Sequence, residues 1–251
     1  MKINNSVDRE WLSRCEDFVY SVLKYKSAKF SHFISPHELA VFRNSYRMPA
    51  DVTCMAYGGS DDAERVILGF FPDFSEPDKT DFPIAPVLIK NLSGCNHRDV
   101  LGAVLGVGIK REMVGDIYFN GDYAVIMCEM NAADYILYNL KTVGRKKVET
   151  EECPCDLTCQ IKHEFREFDV IVSSLRLDAI VSAVAGMGRS ESSRHILQDN
   201  VNVNFTVETN PDKKLNPGDV VSIRHHGRFV VEDIAGKTKK DRIVLKIKKY
   251  I

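Results

Sequence analysis

Arginine recurs through the last third of the chain, at Arg176, Arg189, Arg194, Arg224 and Arg228, and a cluster of Lys237, Lys239, Lys240 and Arg242 follows. A guanidinium can grip a phosphate with a two-pronged hydrogen-bonded fork that lysine cannot copy. The pair Arg189-Ser190 opens a helical pattern, and the free N–H groups of a helix start favour an anion. The terminal lysines add less directional charge. Two structural readings stand beside this one: Arg176 can pair with Asp178 to fix a helix, and the lysine cluster can be a solvated turn. Cys153, Cys155, Cys159 and His163 offer four zinc-type ligands within eleven residues. Their C-x-C-x₃-C-x₃-H spacing lacks the usual C-x₂-C knuckle, so no metal is assigned. Tyr118 and Tyr123 flank Asn120-Gly121; a two-residue turn there sets them opposite each other, either as a base-stacking platform or as a packed cross-strand pair. Arg145, Lys146 and Lys147 form a further short basic run. Gly102, Gly106 and Gly108 fall inside a helical pattern, not after a strand as a dinucleotide loop requires. His97 and Asp99 fit a helix start better than an acid–base pair.

The 251 residues carry 34 Lys+Arg against 35 Asp+Glu. Residues 176–251 hold fourteen basic and nine acidic side chains, so the first 175 are acidic and the remainder basic. That split suggests a basic module attached to an acidic body. The apolar content of 44% is enough for ordinary cores. No apolar run reaches the roughly 18 residues of a membrane span, and the start has no signal-peptide pattern. Seven cysteines then read as reduced thiols in the cytoplasm.

Three segments must position these residues. In 1–80, apolar residues at helical spacing over 7–30 predict a long helix. Ser35-Pro36-His37-Glu38 predicts a second helix start, and strands follow at 52–57 and 65–71. Residues 72–83, with three prolines and four acids, read as a linker. In 84–168, a strand at 84–89, a helix from Asn96 to about Ile109, strands at 116–119 and 122–128, and a helix at 131–141 precede a last strand within 146–174. The order β-α-β-β-α-β is ferredoxin-like or RRM-like. In 174–251, helices to about Ala185 and from Arg189 to about Gln198 precede a small sheet. The expected class is α+β.

Leu175-Arg176-Leu177-Asp178, Arg189-Ser190, Val201-Asn202-Val203-Asn204 and Gly218-Asp219-Val220-Val221-Ser222-Ile223-Arg224 together resemble the S-four domain, a module named after a small-subunit ribosomal protein. His97-Arg98-Asp99, Gly108-Ile109-Lys110-Arg111-Glu112, Gly115-Asp116-Ile117, Ala133-Asp134-Tyr135-Ile136 and Val143-Gly144-Arg145 resemble the middle domain of YlmH-type bacterial proteins. Gly227-Arg228-Phe229 and Gly236-Lys237-Thr238-Lys239-Lys240 resemble that family's ending. The chain departs from these patterns at Gly188, where Ser is usual, and at Asp199, Phe205 and His225, where Gly is common or expected. The resemblance implies a non-enzymatic protein on the large ribosomal subunit, binding rRNA alone or together with tRNA. It further implies a role in translation rescue or ribosome-associated quality control, with a link to cell division. The alternatives are an RNA-modifying enzyme of pseudouridine synthase or methyltransferase type, with its catalytic part in 1–168, and a division adaptor protein. The expected chain is a monomer without cofactor or small-molecule substrate.

Overall fold

The computed structural model describes residues 6–154 and 165–250. The chain falls into two units, Met1–Lys162 and His163–Ile251.

The first unit begins with helix α1 (Ser6–Tyr25), strand β1 (Lys29–Ile34), helix α2 (Pro36–Ser45) and strands β2 (Val52–Tyr57) and β3 (Val66–Pro72). The expected start of α2 is present. Ser35 Oγ accepts from the Glu38 amide, and the Glu38 carboxylate accepts from the Ser35 amide at 2.7 Å. The strands form an antiparallel sheet in the order β1-β3-β2. Trp11, Cys15, Val19 and Val22 of α1 cover one face of it with Val41 and Phe42 of α2. Burial pushes the Cys15 and Cys54 thiols up to about 12, so they are inert thiols at neutral pH.

Next come β4 (Ile84–Lys90), α3 (His97–Gly106), β5 (Val114–Asn120), β6 (Tyr123–Glu129) and α4 (Met130–Asn139). A short ribbon follows, β7 (Thr142–Val143) with β8 (Lys146–Lys147), and then β9 (Glu149–Glu152). The larger sheet has the order β5-β6-β4-β9 and is antiparallel throughout. That is the ferredoxin-like arrangement of a β-α-β-β-α-β chain. Val87, Ile89, Ala124, Ile126 and Cys128 point to the side covered by α3 and α4. Leu88, Tyr118, Val125 and Met127 point to the other side, where they meet Phe33, Ile67 and Phe71 of the first sheet. The unit is therefore layered helix, sheet, sheet, helix.

This layering departs from a linker between two domains at 72–83. Phe82 from that stretch is buried between the sheets, beside Phe30, Phe71 and Tyr57. A polar clasp adds direction to the apolar contact. Arg65 donates to the carbonyls of Phe33 (2.8 Å) and Val114 (2.9 Å), while Asp116 accepts from the amides of Glu64 (2.6 Å) and Arg65 (3.3 Å). Arg111 also donates to the Val114 carbonyl at 2.5 Å. Burial, and then the neighbouring Arg65 charge, pushes the Arg111 guanidinium down to about 10. Gly115 is required here because any Cβ would overlap the Phe33 ring.

The second unit holds β10 (Phe165–Val172), α5 (Leu177–Ala185), α6 (Arg189–Leu197), β11 (Val201–Val203), β12 (Thr206–Val207), β13 (Val220–Ile223), β14 (Gly227–Lys237) and β15 (Ile243–Tyr250). Its sheet runs β10-β15-β14-β13-β11-β12. Strand β10 crosses the boundary drawn from the sequence between 168 and 174. Its full-length pairing with β15 places it with this sheet.

Candidate nucleic-acid interface

Helix α5 is anchored by Leu177, Ile180 and Val181 and closed by Gly186, whose φ of 66° suits the left-handed cap. Ser182 Oγ donates to the Met187 carbonyl at 2.6 Å and braces the turn into α6. Fully buried Ser192 then joins the two helices, donating to the Asp178 carbonyl at 2.8 Å. This short, braced connection brings three charged side chains together. Arg176 donates through Nε and a terminal nitrogen to the two Asp178 oxygens, at 3.2 and 3.1 Å. Arg189 donates to Asp178 at 2.6 Å and to Ser173 Oγ at 3.3 Å. The Asp178 side chain is 6% exposed, while Arg176 and Arg189 remain 42% and 45% exposed. One buried carboxylate thus holds two guanidiniums whose remaining N–H groups face water. Exposed Asp212 also pairs with Arg176.

The structural ion pair and the exposed fork are therefore one arrangement. Burial pushes the Asp178 carboxyl up. The hydrogen bonds and charges of Arg176 and Arg189 together outweigh it and hold the carboxyl below the usual range. A depressed carboxylate stabilises the fold fully above its unfolded pKa of about 3.9, and that contribution is lost as pH falls through the lower folded value. Acid unfolding of the second unit is expected to shift in Asp178→Asn, with a weaker dependence on pH below about 4. A pH titration of the near-ultraviolet circular dichroism checks this, and superimposable acid limbs contradict it.

The sheet sorts the other basic residues into two groups. Val172 pairs with Ile243, which pairs with Lys237, so the turn carrying Lys239, Lys240 and Arg242 lies at the same end as Ser173, Arg176 and Arg189. Ser190 is exposed in the first turn of α6 beside them. Lys237 is paired with Asp241 at 2.7 Å. Arg228 sits roughly 20–25 Å away, at the far end of β14, whose two bulges shorten its span along β15. Its guanidinium lies 5.3 Å from the ring centres of both Phe205 and Tyr250. Arg224 is at that far end too, next to Asn200, and Arg194 is exposed in the last turn of α6.

The positions that depart from glycine keep a glycine-like backbone. Asp199, Phe205 and His225 have φ of 58°, 66° and 67°. For a bulky residue that conformation is strained. His225→Gly is expected to raise stability by about 1 kcal/mol, read from thermal unfolding; a lower melting temperature contradicts the strain. Asn204 explains the Val-x-Val-Asn string. Its side chain accepts from the Val220 amide at 2.9 Å and donates to Asp219 at 2.8 Å, pinning β11 to the turn before β13.

In the first unit the expected register of Tyr118 and Tyr123 is corrected, and of their two readings the packed one describes Tyr118. Positive φ occurs at Gly121 and not at Asn120, so the central turn residues are Gly121-Asp122 and Asn120 pairs with Tyr123. Tyr118 pairs with Val125 instead, diagonal to Tyr123 on the same face. That face is covered by the first sheet; Tyr118 is 5% exposed and hydrogen-bonds Ser60 at 2.5 Å. Tyr118 cannot stack on a base there, and Tyr123 is half-buried against the same core. Arg145, Lys146 and Lys147 lie exposed around the β7–β8 ribbon. Asp99 completes a capping box, accepting from the Asn96 amide at 2.9 Å, which is the helix-start role. Cys153 is half-buried, whereas Cys155, Cys159 and His163 lie outside the described residues. Among the described residues, no helix is long and apolar enough to cross a membrane.

Residues 77–156 match a family model described as "Putative RNA-binding domain in YlmH". The sequence pattern predicts RNA contact chiefly in the C-terminal module, whereas the matched family model covers the middle segment. The chain is 30% identical over 240 residues to the "Ribosome-associated protein quality control protein P2" of Bacillus subtilis (strain 168), covering 94% of this chain and 92% of that one. Among solved structures it resembles "Cell division protein ylmH from Streptococcus pneumoniae", with a TM-score of 0.55 and 24% identity, covering 64% of this chain and 99% of that one. The second likeness is one of fold.

Proposed function

The chain belongs to the YlmH family, and from that premise we propose that it is a ribosome-associated RNA-binding protein whose C-terminal module is of the S-four type. The observation that carries this reading is the fork of Arg176 and Arg189 on buried Asp178, beside the basic turn of Lys239, Lys240 and Arg242. Two fixed guanidiniums suit a pair of phosphates held at a set spacing, as in a folded RNA helix whose deep major groove excludes side chains. The partner is structured rRNA of the large ribosomal subunit, with tRNA as a second contact, in the cytoplasm. The action is docking and has no covalent step. The name of the Bacillus subtilis relative supports a role in quality control of obstructed translation. The name of the Streptococcus pneumoniae protein supports a further link to cell division.

Crosslinking in cells, followed by sequencing of the bound RNA, tests this reading with Arg189→Glu as control. An rRNA signal present in the native chain and lost in the variant is expected. An unchanged signal refutes the assignment.

A further inference from the structure

The sheet face that an RRM-like fold would offer to RNA is covered in this chain by the first sheet, through Phe33, Ile67 and Phe71. If residues 77–156 touch RNA, they must do so elsewhere. The opposite, helical side carries two tyrosines that burial leaves unexplained. Tyr138 is 78% exposed and Tyr135 46%, and they stand three residues apart on α4, on neighbouring parts of its surface. Buried Ile136 and Ala133 hold the helix onto the sheet, so the tyrosines are not needed for that packing.

Cations follow at the C-terminal end of this helix. Lys141 Nζ lies 5.8 Å from the Tyr138 ring centre. The β7–β8 ribbon follows directly with exposed Arg145, Lys146 and Lys147, none of which forms a salt bridge among the described residues. Lys146 Nζ is 3.7 Å from where a Cβ on Gly94 would sit, so the ribbon packs beside the loop that enters α3. The Tyr135 hydroxyl is 4.0 Å from the corresponding point on Gly108, at the other end of α3. Between those points Gly102 and Gly106 are exposed, and a side chain at either would meet nothing within 4 Å. Glycine is costly in a helix, and no packing within the protein requires it here. Exposed backbone instead permits close approach by a ligand. Asp134 is the one acidic side chain exposed on α4.

We propose that Tyr135 and Tyr138, flanked by Lys141, Arg145, Lys146 and Lys147, form a second RNA site that takes unpaired nucleotides. The bases stack on the tyrosine rings while the ribbon's cations hold the phosphates. Lys141 and the three ribbon cations favour a polyanion as occupant, with Asp134 and Glu152 the exposed acids on the same side. This rests on the RNA-binding reading above but is independent of the arginine fork, which takes paired RNA.

The full chain is titrated by fluorescence anisotropy with two probes, a single-stranded oligouridine of about twelve nucleotides and an RNA duplex of similar length. Tyr138→Ala is expected to weaken oligouridine binding about tenfold and to leave duplex binding unchanged. Tyr138→Phe, which keeps the ring, is expected to bind the oligouridine within about twofold of the native chain. Lys146→Glu is expected to weaken the same complex and lower its salt dependence. Arg189→Ala is expected to do the reverse, lowering duplex affinity alone. Oligouridine binding unmoved by the tyrosine and lysine variants overturns the proposal, and a patch that serves a protein partner gives that result. A loss in Tyr138→Phe equal to that in Tyr138→Ala also overturns it. If Tyr138→Ala acts as expected while Arg189→Ala leaves duplex binding unchanged, the fork reading fails and this one stands.

Discussion

Replacing Arg176 and Arg189 together by alanine lowers affinity for a structured RNA about 100-fold at near-physiological salt and reduces the salt slope by about 2. The magnitude follows from the geometry. Each guanidinium is half exposed with N–H groups left over from its bonds to Asp178. A charge-assisted hydrogen bond contributes about 1.5–3 kcal/mol, so two contacts account for roughly 100-fold with part of the gross energy lost to desolvation. The double change leaves Asp178 buried without its partners, which by itself destabilises the module. Adding Asp178→Asn removes that charge, and the triple variant keeps the RNA defect if the arginines bind phosphate. Filter binding across a salt series, with a melting curve for each variant, separates the two effects. A defect that tracks stability and disappears in the triple variant contradicts the fork.

Arg65→Ala lowers the melting temperature of the first unit by about 6–12 °C. Arg65 links β1 and β5 through the Phe33 and Val114 carbonyls, and the side chain lies in the region where the two sheets meet. Its removal takes the side-chain donor from the Phe33 carbonyl and leaves the Val114 carbonyl to Arg111 alone, at a cost of about 3 kcal/mol. For a unit of this size each kcal/mol corresponds to about 2–4 °C. Arg65→Lys is expected to lose much of the same stability, because one ammonium cannot reach carbonyls on two strands with a planar fork. Differential scanning calorimetry measures both. A shift below about 2 °C for Arg65→Ala contradicts a clasp between the sheets and points to carbonyls satisfied by water.

The order of elements was legible because its signals are local. The capping box at Ser35 and Glu38, the β-α-β-β-α-β succession and the paired helices around Gly186 depend on residues within a few positions of one another. The register of the β5–β6 hairpin was not. Asn-Gly suggested one pair of central residues, and the chain uses Gly121-Asp122, which changes the partner of every residue in the hairpin. The shared core between the two sheets did leave a trace. Val66 to Pro72 is buried at every position, and an unbroken apolar run signals a strand covered on both faces. The clasp left none, since Arg65 bonds backbone carbonyls 32 and 49 residues away.

The candidate site divides in the same way. Arg176, Arg189 and Asp178 were readable from one motif, yet the sequence could not decide between an ion pair and an exposed fork. Both are true, because a single buried carboxylate has four acceptor sites to share. Other strings that carried the family resemblance have structural work instead. Gly115 and Asp116 receive Phe33 and the Glu64–Arg65 amides, and Arg111 bonds the β5 backbone. Arg228 stacks between Phe205 and Tyr250, far along β14 from the fork. Within the middle segment the tyrosines with surface to offer are Tyr135 and Tyr138, which helical periodicity alone could not tell from core.

The proposed interface requires Asp178 to fix two arginines in a geometry that RNA phosphates recognise. Asp178→Asn tests it most directly, because it removes a negative charge beside the interface while nearly preserving shape. In a duplex RNA titration at fixed salt the variant is expected to bind about 3–10-fold more weakly, since the guanidiniums lose their preorganisation. Affinity equal to or tighter than that of the native chain would mean that charge alone governs binding, and would contradict the account.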